Sequence, residues 1–197
     1  QNVLLKDLYR YVMTLPQEKG NAVLNFLLSG LPEREENLDK NSPDFWAVRA
    51  ARLFPQPDGG RDRGIFSIYF MNLVHLKPGQ GTYQDAGVLH AYLEGTTVEL
   101  LTDSDNVLRG GLTQKNVDVE ELLRIVRFRS GKPVILEGTS VNPYEVVYLT
   151  PASQFELSQI TLPPGRSHRD PVRHGPEILF SERGDAEIRT GAQVLQL

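Results

Sequence analysis

Residues 79–95 have the sequence GQGTYQDAGVLHAYLEG, and this stretch decides the expected fold. Gly79, Asp85 and Gly87 form a glycine-rich turn ahead of His90. Such a turn lets the chain reverse sharply, and the strand after it can project the histidine into a β-barrel. There an imidazole can complete the coordination of a divalent metal ion. On spacing alone, a histidine that is only hydrogen-bonded inside the barrel fits at least as well.

The segments before this stretch predict helices. Apolar residues recur at helical spacing from Leu4 to Leu15, and a second apolar stretch runs from Val23 to Leu28. Ser42 can cap a third helix that has Pro43 at its first position, where the missing N–H costs nothing. Residues 1–60 are therefore expected to be helical.

From residue 64 onward, the apolar pattern predicts short strands between glycine and proline turns. The first, over residues 65–76, is apolar on both faces, as in a strand enclosed by a sandwich or barrel. One helix interrupts the series, with Asp118 as its N-cap and Glu121 at the third helical position. Helices followed by many short strands predict a mainly β jelly roll or sandwich with a helical insertion. The other predicted strands are 81–84, 90–93, 97–101, 134–136, 145–149, 155–162, 177–181 and 186–189.

Composition excludes several classes of function. The 197 residues carry 21 Lys and Arg against 25 Asp and Glu, which argues against a general nucleic-acid-binding protein. The chain has no cysteine, so it has no disulfides, thiol nucleophiles or cysteine zinc sites, and this fits a cytoplasmic protein. No apolar run reaches the roughly 18–20 residues of a membrane span. Any metal site must use carboxylates, amides, water and the four histidines, which are His75, His90, His168 and His174.

Two longer motifs carry a resemblance to a known family. Residues 86–95, AGVLHAYLEG, closely resemble the A-G-x-x-H-A-Y-L-x-G block of type I mannose-6-phosphate isomerases. Residues 104–115, SDNVLRGGLTQK, resemble that family's S-D-N-V-x-R-A-G-L-T-x-K block, and the gap between the blocks also fits. Residues 64–67 with Asn72 are similar to the family's G-[VI]-F-S…N strand. The resemblance is continuous from about residue 43 to residue 128 and looser on either side.

The resemblance implies a fold and an activity. It implies a mainly β fold, a cupin-type jelly roll with a helical insertion and part of a second jelly roll. The inserted helical domain is expected over residues 1–60. The C-terminal part of the metal-bearing jelly roll is expected over 61–150, with a helix near 118–128, and part of the second jelly roll over 151–197. The implied activity is zinc-dependent interconversion of mannose 6-phosphate and fructose 6-phosphate, which belongs to carbohydrate metabolism and GDP-mannose biosynthesis. The implied protein is a cytoplasmic monomer that binds a sugar phosphate but neither nucleic acid nor membranes.

The resemblance also implies a metal site. His90 corresponds to the zinc ligand of the H-A-Y motif, and one Zn²⁺ is expected per full-length chain. The family takes its other ligands from a Q-x-H pair and a Glu earlier in the chain. This sequence contains no Q-x-H, so we expect those ligands upstream of Gln1. Asp85 and Gln114 depart from residues that are usual in the family at two turns.

The remaining site residues follow from the resemblance position by position. Arg109 corresponds to the family's active-site arginine, and a guanidinium binds oxyanions in two-pronged fashion. Glu99 matches a pocket carboxylate, which makes it the candidate proton carrier in an enediol-type transfer. Lys115 matches a lysine near the phosphate, and Tyr92 and Asp105 match further residues of the substrate pocket.

Other interpretations stay open. The chain can instead be a non-catalytic cupin-like module that binds a sugar or a partner, because the other metal ligands are missing from it. It can also be another cupin isomerase, such as one acting on glucose 6-phosphate, although residues 104–115 weigh against this. Without the resemblance, Arg109 and Lys115 would be surface charges beside a turn, Glu99 the solvent face of a strand and Tyr92 a core aromatic. We expect the isolated segment to be inactive, since one histidine cannot hold a catalytic zinc.

Overall fold

A computed structural model describes residues 2–104, 106–169 and 175–197. The chain divides into two compact units, Gln1–Ile160 and Thr161–Leu197, and each is described by itself. Asp105 and His174, which were singled out in the sequence, lie outside the described residues. The division into three domains at residues 60 and 150 stays a prediction.

Two helices of the first unit begin at the N-caps that the sequence predicts. Ser42 Oγ accepts a hydrogen bond from the Asp44 amide at 3.2 Å. The Asp118 carboxylate accepts one from the Glu121 amide at 3.0 Å. Both predicted caps are thereby confirmed. The helices are α1 (Val3–Thr14), α2 (Gln17–Ser29), α3 (Pro43–Leu53), α4 (Gly64–Phe70) and α5 (Val119–Ile125), with a short 3₁₀ helix at Glu35–Asn37.

The core of the first unit lies between these helices. Leu24 of α2, Ile65 of α4 and Leu122 of α5 are almost completely buried in one apolar cluster. Tyr9 of α1 packs on Phe128 just beyond α5, with ring centroids 5.5 Å apart. Each fully buried aliphatic side chain of this kind stabilises the fold by about 1.5–3 kcal/mol. The core therefore fixes α4 and α5 against the helices of the first 54 residues.

The predicted strand over residues 65–76 is wrong, because Gly64–Phe70 is the helix α4. Phe66 and Phe70 stack with ring centroids 6.5 Å apart, a contact between residues four apart that a helix allows. Ile65, Phe66 and Ile68 are all buried, so the helix is apolar on most of its surface. A short run of this kind cannot be told from a buried strand by its periodicity.

Three strands form an antiparallel sheet near the end of the first unit, in the order β1 (Thr139–Asn142), β2 (Glu145–Tyr148) and β3 (Leu157–Ile160). Val147 of β2 lies opposite Thr139 of β1 and Ser158 of β3. The strands predicted at 145–149 and 155–162 are thereby confirmed. Those predicted at 81–84 and 134–136 reduce to one bridge between Gly81 and Leu136.

The strands predicted at 90–93 and 97–101 do not form in the structure, and every residue from His90 to Leu101 is exposed. A strand needs hydrogen bonds to a neighbouring strand, and no described segment pairs with these residues. The first unit is therefore a mixed fold with a small sheet. The expected mainly β architecture is corrected accordingly, since helices hold more of the described residues than strands do.

The second unit contains a hairpin of β4 (Glu187–Thr190) and β5 (Gln193–Gln196). Glu187 lies opposite Gln196, and Thr190 lies opposite Gln193. The strand predicted at 186–189 is confirmed, whereas residues 177–181, also predicted as a strand, form none. Within the described parts of the chain, no helix is both long enough and apolar enough to cross a membrane.

Candidate functional site

The segment that contains Arg109 and Lys115 is held against the start of α4. Asp62 is buried there, and its carboxylate accepts hydrogen bonds from the Gly64 amide at 2.7 Å and from the Thr113 amide at 3.3 Å. Gly111 has φ +121°, and a Cβ on it would lie 2.5 Å from Gly64 Cα. Only glycine permits so close an approach of two backbones. The turn at residues 111–113 is therefore fixed by backbone contact.

Arg109 and Lys115 flank this anchored turn with exposed side chains. The Lys115 amide donates to Thr113 Oγ1 at 3.1 Å, which continues the turn. In the described parts of the chain, neither the guanidinium of Arg109 nor the ammonium of Lys115 has a hydrogen-bonding or ion-pairing partner. Among the described residues, nothing competes with an anion for these two cationic groups. Asp105, predicted for the same pocket, lies outside the described residues.

The segment that leads to His90 is held against the end of α5. The Arg127 amide donates to Gly87 O at 2.8 Å, and the Arg127 guanidinium pairs with the Asp85 carboxylate. Gly87 has φ +80°, and a Cβ on it would lie 2.9 Å from Ile125 O. Asp85, which departs from the residue usual in the family, thus forms an ion pair at this turn.

His90 is exposed, and its Nδ1 lies 2.9 Å from the carbonyl oxygen of Val88. A carbonyl only accepts hydrogen bonds, so in a neutral ring Nδ1 carries the proton and Nε2 carries the free lone pair. Metal-binding histidines are commonly oriented by such a bond from their other nitrogen. His90 therefore fits the role of one metal ligand. However, the described residues contain no group of three or more His, Cys, Asp or Glu that could hold a metal, so they do not form a complete site.

Tyr92 and Glu99 are brought together by the structure. Tyr92 Oη donates to Glu99 Oε1 at 2.9 Å, and the Tyr92 ring lies edge-on to His90 with centroids 6.1 Å apart. Removal of water from the hydroxyl, and then the Glu99 carboxylate, raise the pKa of Tyr92. Tyr92 is 62% exposed, so the alternative of a core aromatic is wrong. His90, Tyr92 and Glu99 thus share one surface.

Sequence reasoning missed Glu94, which ties the same segment to the helices. Its carboxylate accepts hydrogen bonds from Lys40 Nζ at 2.6 Å and from Arg49 Nη1 at 2.5 Å. The bond from Arg49, followed by that from Lys40, lowers the pKa of Glu94 to about 2, so this carboxylate is charged at neutral pH. Its partners are far away in sequence, and no local pattern signals such a contact.

The chain is similar to known proteins along almost all of its length. Mannose-6-phosphate isomerase 1 of Arabidopsis thaliana is 40% identical to it over 189 residues, which cover 96% of this chain and 43% of that protein. Mannose-6-phosphate isomerase of Escherichia coli (strain K12) is 31% identical over 199 residues, covering 98% and 46%. The chain is a relative of the mannose-6-phosphate isomerases. The resemblance predicted from its motifs is thereby confirmed.

A solved structure agrees with this relationship. The apo form of mannose 6-phosphate isomerase from Salmonella typhimurium matches with a TM-score of 0.58 and 26% identity, covering 78% of this chain and 37% of that one. No family model matches the chain. The chain spans less than half the length of these mannose-6-phosphate isomerases.

Proposed function

We propose that this chain is the C-terminal portion of a zinc-dependent mannose-6-phosphate isomerase, which interconverts mannose 6-phosphate and fructose 6-phosphate. The observation that carries the proposal is the 40% identity to such an isomerase over 96% of the chain. The positions of the site residues support it, since both motif segments are anchored while the side chains of His90, Glu99 and Arg109 remain exposed. The whole protein is proposed to be a cytoplasmic monomer that takes a sugar phosphate, with no nucleic-acid or membrane partner.

The proposal includes the C-terminal part of the metal-bearing cupin jelly roll over residues 61–150, with a helix near 118–128, and part of a second jelly roll over 151–197. Exposed apolar side chains within residues 61–150 favour the presence of further strands that would pair with this part of the chain in the full-length protein. Val98, Leu101 and Val107 are 61%, 60% and 63% exposed, respectively, on a stretch that pairs with no strand among the described residues. Pairing with further strands would bury them, at about 25 cal/mol for each Å² of apolar surface removed from water.

The reaction moves a proton between C1 and C2 of the open-chain sugar through an enediol-type intermediate. It needs one base, together with positive charge near O1 and O2. Glu99 is the proposed base. Tyr92 Oη donates a hydrogen bond to Glu99 Oε1. The other oxygen, Oε2, is therefore the one that takes the proton from one of the carbons C1 and C2 and returns it to the other. The bond from Tyr92 also fixes the rotation of that carboxylate.

The cationic groups of the second motif bind the substrate in this proposal. Arg109 stabilises negative charge on the sugar oxygens or the phosphate, and Lys115 binds the phosphate. Asp105 completes the substrate pocket. His90 Nε2 is one proposed zinc ligand. The other zinc ligands are proposed to lie in the part of the isomerases that this chain does not span. Zinc, when bound, supplies Lewis-acid stabilisation of the oxygens.

The test is a coupled assay on the full-length protein, with mannose 6-phosphate as substrate and fructose 6-phosphate as the detected product. We expect turnover with mannose 6-phosphate and none with glucose 6-phosphate. The 197-residue chain alone is expected to be inactive. Absence of fructose 6-phosphate from a folded, zinc-supplied full-length protein would contradict the proposal and favour the non-catalytic module.

His90→Ala is expected to weaken zinc binding to the full-length protein by at least about 100-fold, since loss of a mere outer-shell partner already costs 10–100-fold. Metal content after dialysis against a zinc buffer measures this. His75→Ala is the matched control, because His75 is also an exposed histidine and lies outside both motifs. Equal zinc retention by the two variants would show that His90 is not a ligand.

A further inference from the structure

We propose that Glu94 is a positioning residue for the segment that carries His90 and Tyr92, an inference that rests on the proposed isomerase function. In the described parts of the chain, no hydrogen bond joins Glu94 to either residue, and its two carboxylate oxygens accept from Lys40 and from Arg49. Two cations therefore neutralise its charge, which makes it a poorer metal ligand and proton acceptor than a free carboxylate. Its role is to hold the far end of the segment.

The near end of this segment is held before His90. The Arg127 amide bonds to Gly87 O at 2.8 Å, and Leu89 packs against the helical core. Beyond Leu89, residues 90–93 are exposed, and among the described residues they make no backbone hydrogen bond. Among the described residues, Glu94 is the next one that forms a hydrogen bond to the helical part. The placement of residues 90–93 thus depends on an anchor at each end.

The partners of Glu94 are held firmly enough to act as an anchor. Arg49, on α3, donates from Nε to Glu35 Oε1 at 3.0 Å, and the Glu35 side chain is only 5% exposed. The Arg49 guanidinium also packs over Phe45 at 4.7 Å and Trp46 at 5.0 Å from the ring centroids. A guanidinium fixed on several sides loses little further freedom when it binds a carboxylate. The ion pair between Arg49 and Glu94 therefore differs from an ordinary surface salt bridge between two flexible side chains.

The second partner is fixed through its backbone. Trp46 Nε1 donates to Lys40 O at 2.9 Å, so the buried tryptophan holds the loop that carries Lys40. Lys40 Nζ lies 5.7 Å from the Phe45 ring centroid and 2.6 Å from Glu94 Oε1. Two cations on the helical part thus meet one carboxylate on the motif segment. Loss of the Glu94 charge is expected to release residues 90–93 while leaving the helices folded.

The test compares Glu94→Gln with Glu121→Gln in the full-length protein. Glu121 is a matched control, because it also pairs with an arginine, Arg124, but on the exposed face of α5. In the metal-free protein, we expect Glu94→Gln to speed chymotrypsin cleavage after the exposed Tyr92 by about tenfold, because the segment is then held at one end only. We also expect about tenfold weaker zinc binding and a comparable fall in kcat. The melting temperature should match that of the control.

Further variants separate positioning from a general loss of stability. Glu94→Asp, which keeps the charge, should restore part of the resistance to cleavage after Tyr92 and part of kcat. Lys40→Met should lower kcat less than Glu94→Gln does. The double variant should have the same kcat as Glu94→Gln alone. Additive effects, or a cleavage rate after Tyr92 equal to that in Glu121→Gln, would overturn the inference. A wild-type protein without isomerase activity would instead refute the proposed function, and the cleavage rates would still decide the role of Glu94.

Discussion

Arg109→Ala in the full-length protein is expected to lower kcat for mannose 6-phosphate by about 100- to 1,000-fold, the loss seen when one group that stabilises a developing oxyanion is removed. The Arg109 side chain is exposed and, in the part of the chain that the structure describes, has no partner. Removing it should therefore change the free energy of unfolding by no more than about 0.5 kcal/mol. Steady-state kinetics and thermal unfolding measure the two effects.

The matched control for this variant is Arg183→Ala. Arg183 is likewise exposed and lies far from both motifs in the sequence. It should keep the wild-type kcat and melting temperature. If Arg109→Ala turned over mannose 6-phosphate within about twofold of Arg183→Ala, Arg109 would not belong to the site.

Gly111→Ala is expected to destabilise the protein by about 3 kcal/mol or more. An alanine at a glycine-type φ stores about 1–3 kcal/mol of strain, and overpacking adds a similar amount. At Gly111, φ is +121° and the added Cβ would lie 2.5 Å from Gly64 Cα, an atom that moves only if α4 moves. Urea denaturation of the full-length protein measures the change. A loss of this size is a large fraction of ordinary protein stability.

Comparison with Gly95→Ala separates the effect of the backbone contact from the effect of the conformational strain at positive φ. Gly95 has nearly the same φ, +118°, but nothing lies within 4 Å of its added Cβ. It should therefore show the strain contribution alone, about 1–3 kcal/mol. Equal destabilisation by the two variants would show that the backbone contact between Gly64 and Gly111 does not hold the Arg109 segment in place.

Local chemistry explains which elements could be predicted. The starts of α3 and α5 depend on Ser42 and Asp118, and each cap bonds an amide two or three residues away. The strands β2 and β3 follow from short apolar segments between turns. The strand prediction over residues 65–76 failed because enclosure by other helices made α4 apolar on most sides. Nothing in a sequence window reveals that enclosure.

The members of the site stay a prediction, and their arrangement could not be predicted at all. Motif resemblance named His90, Glu99 and Arg109, because the two blocks occur in the right order with the right gap. The bond from Tyr92 to Glu99 and the anchor at Glu94 were not predicted. The strands expected at 90–93 and 97–101 also need a neighbour, and none of the described segments supplies one.

By itself, the sequence determined the resemblance to mannose-6-phosphate isomerases, the helix caps and the residue types available for chemistry, since each depends on residues close together in the chain. The absence of cysteine and the small number of histidines left His90 as the one expected metal ligand here. Tertiary structure alone decided how the motif segments are held. Asp62 and Gly64 meet Gly111 and Thr113, and Glu94 meets α3, through contacts between residues more than 40 positions apart. Such contacts form only when the helical core brings distant backbones within hydrogen-bonding distance.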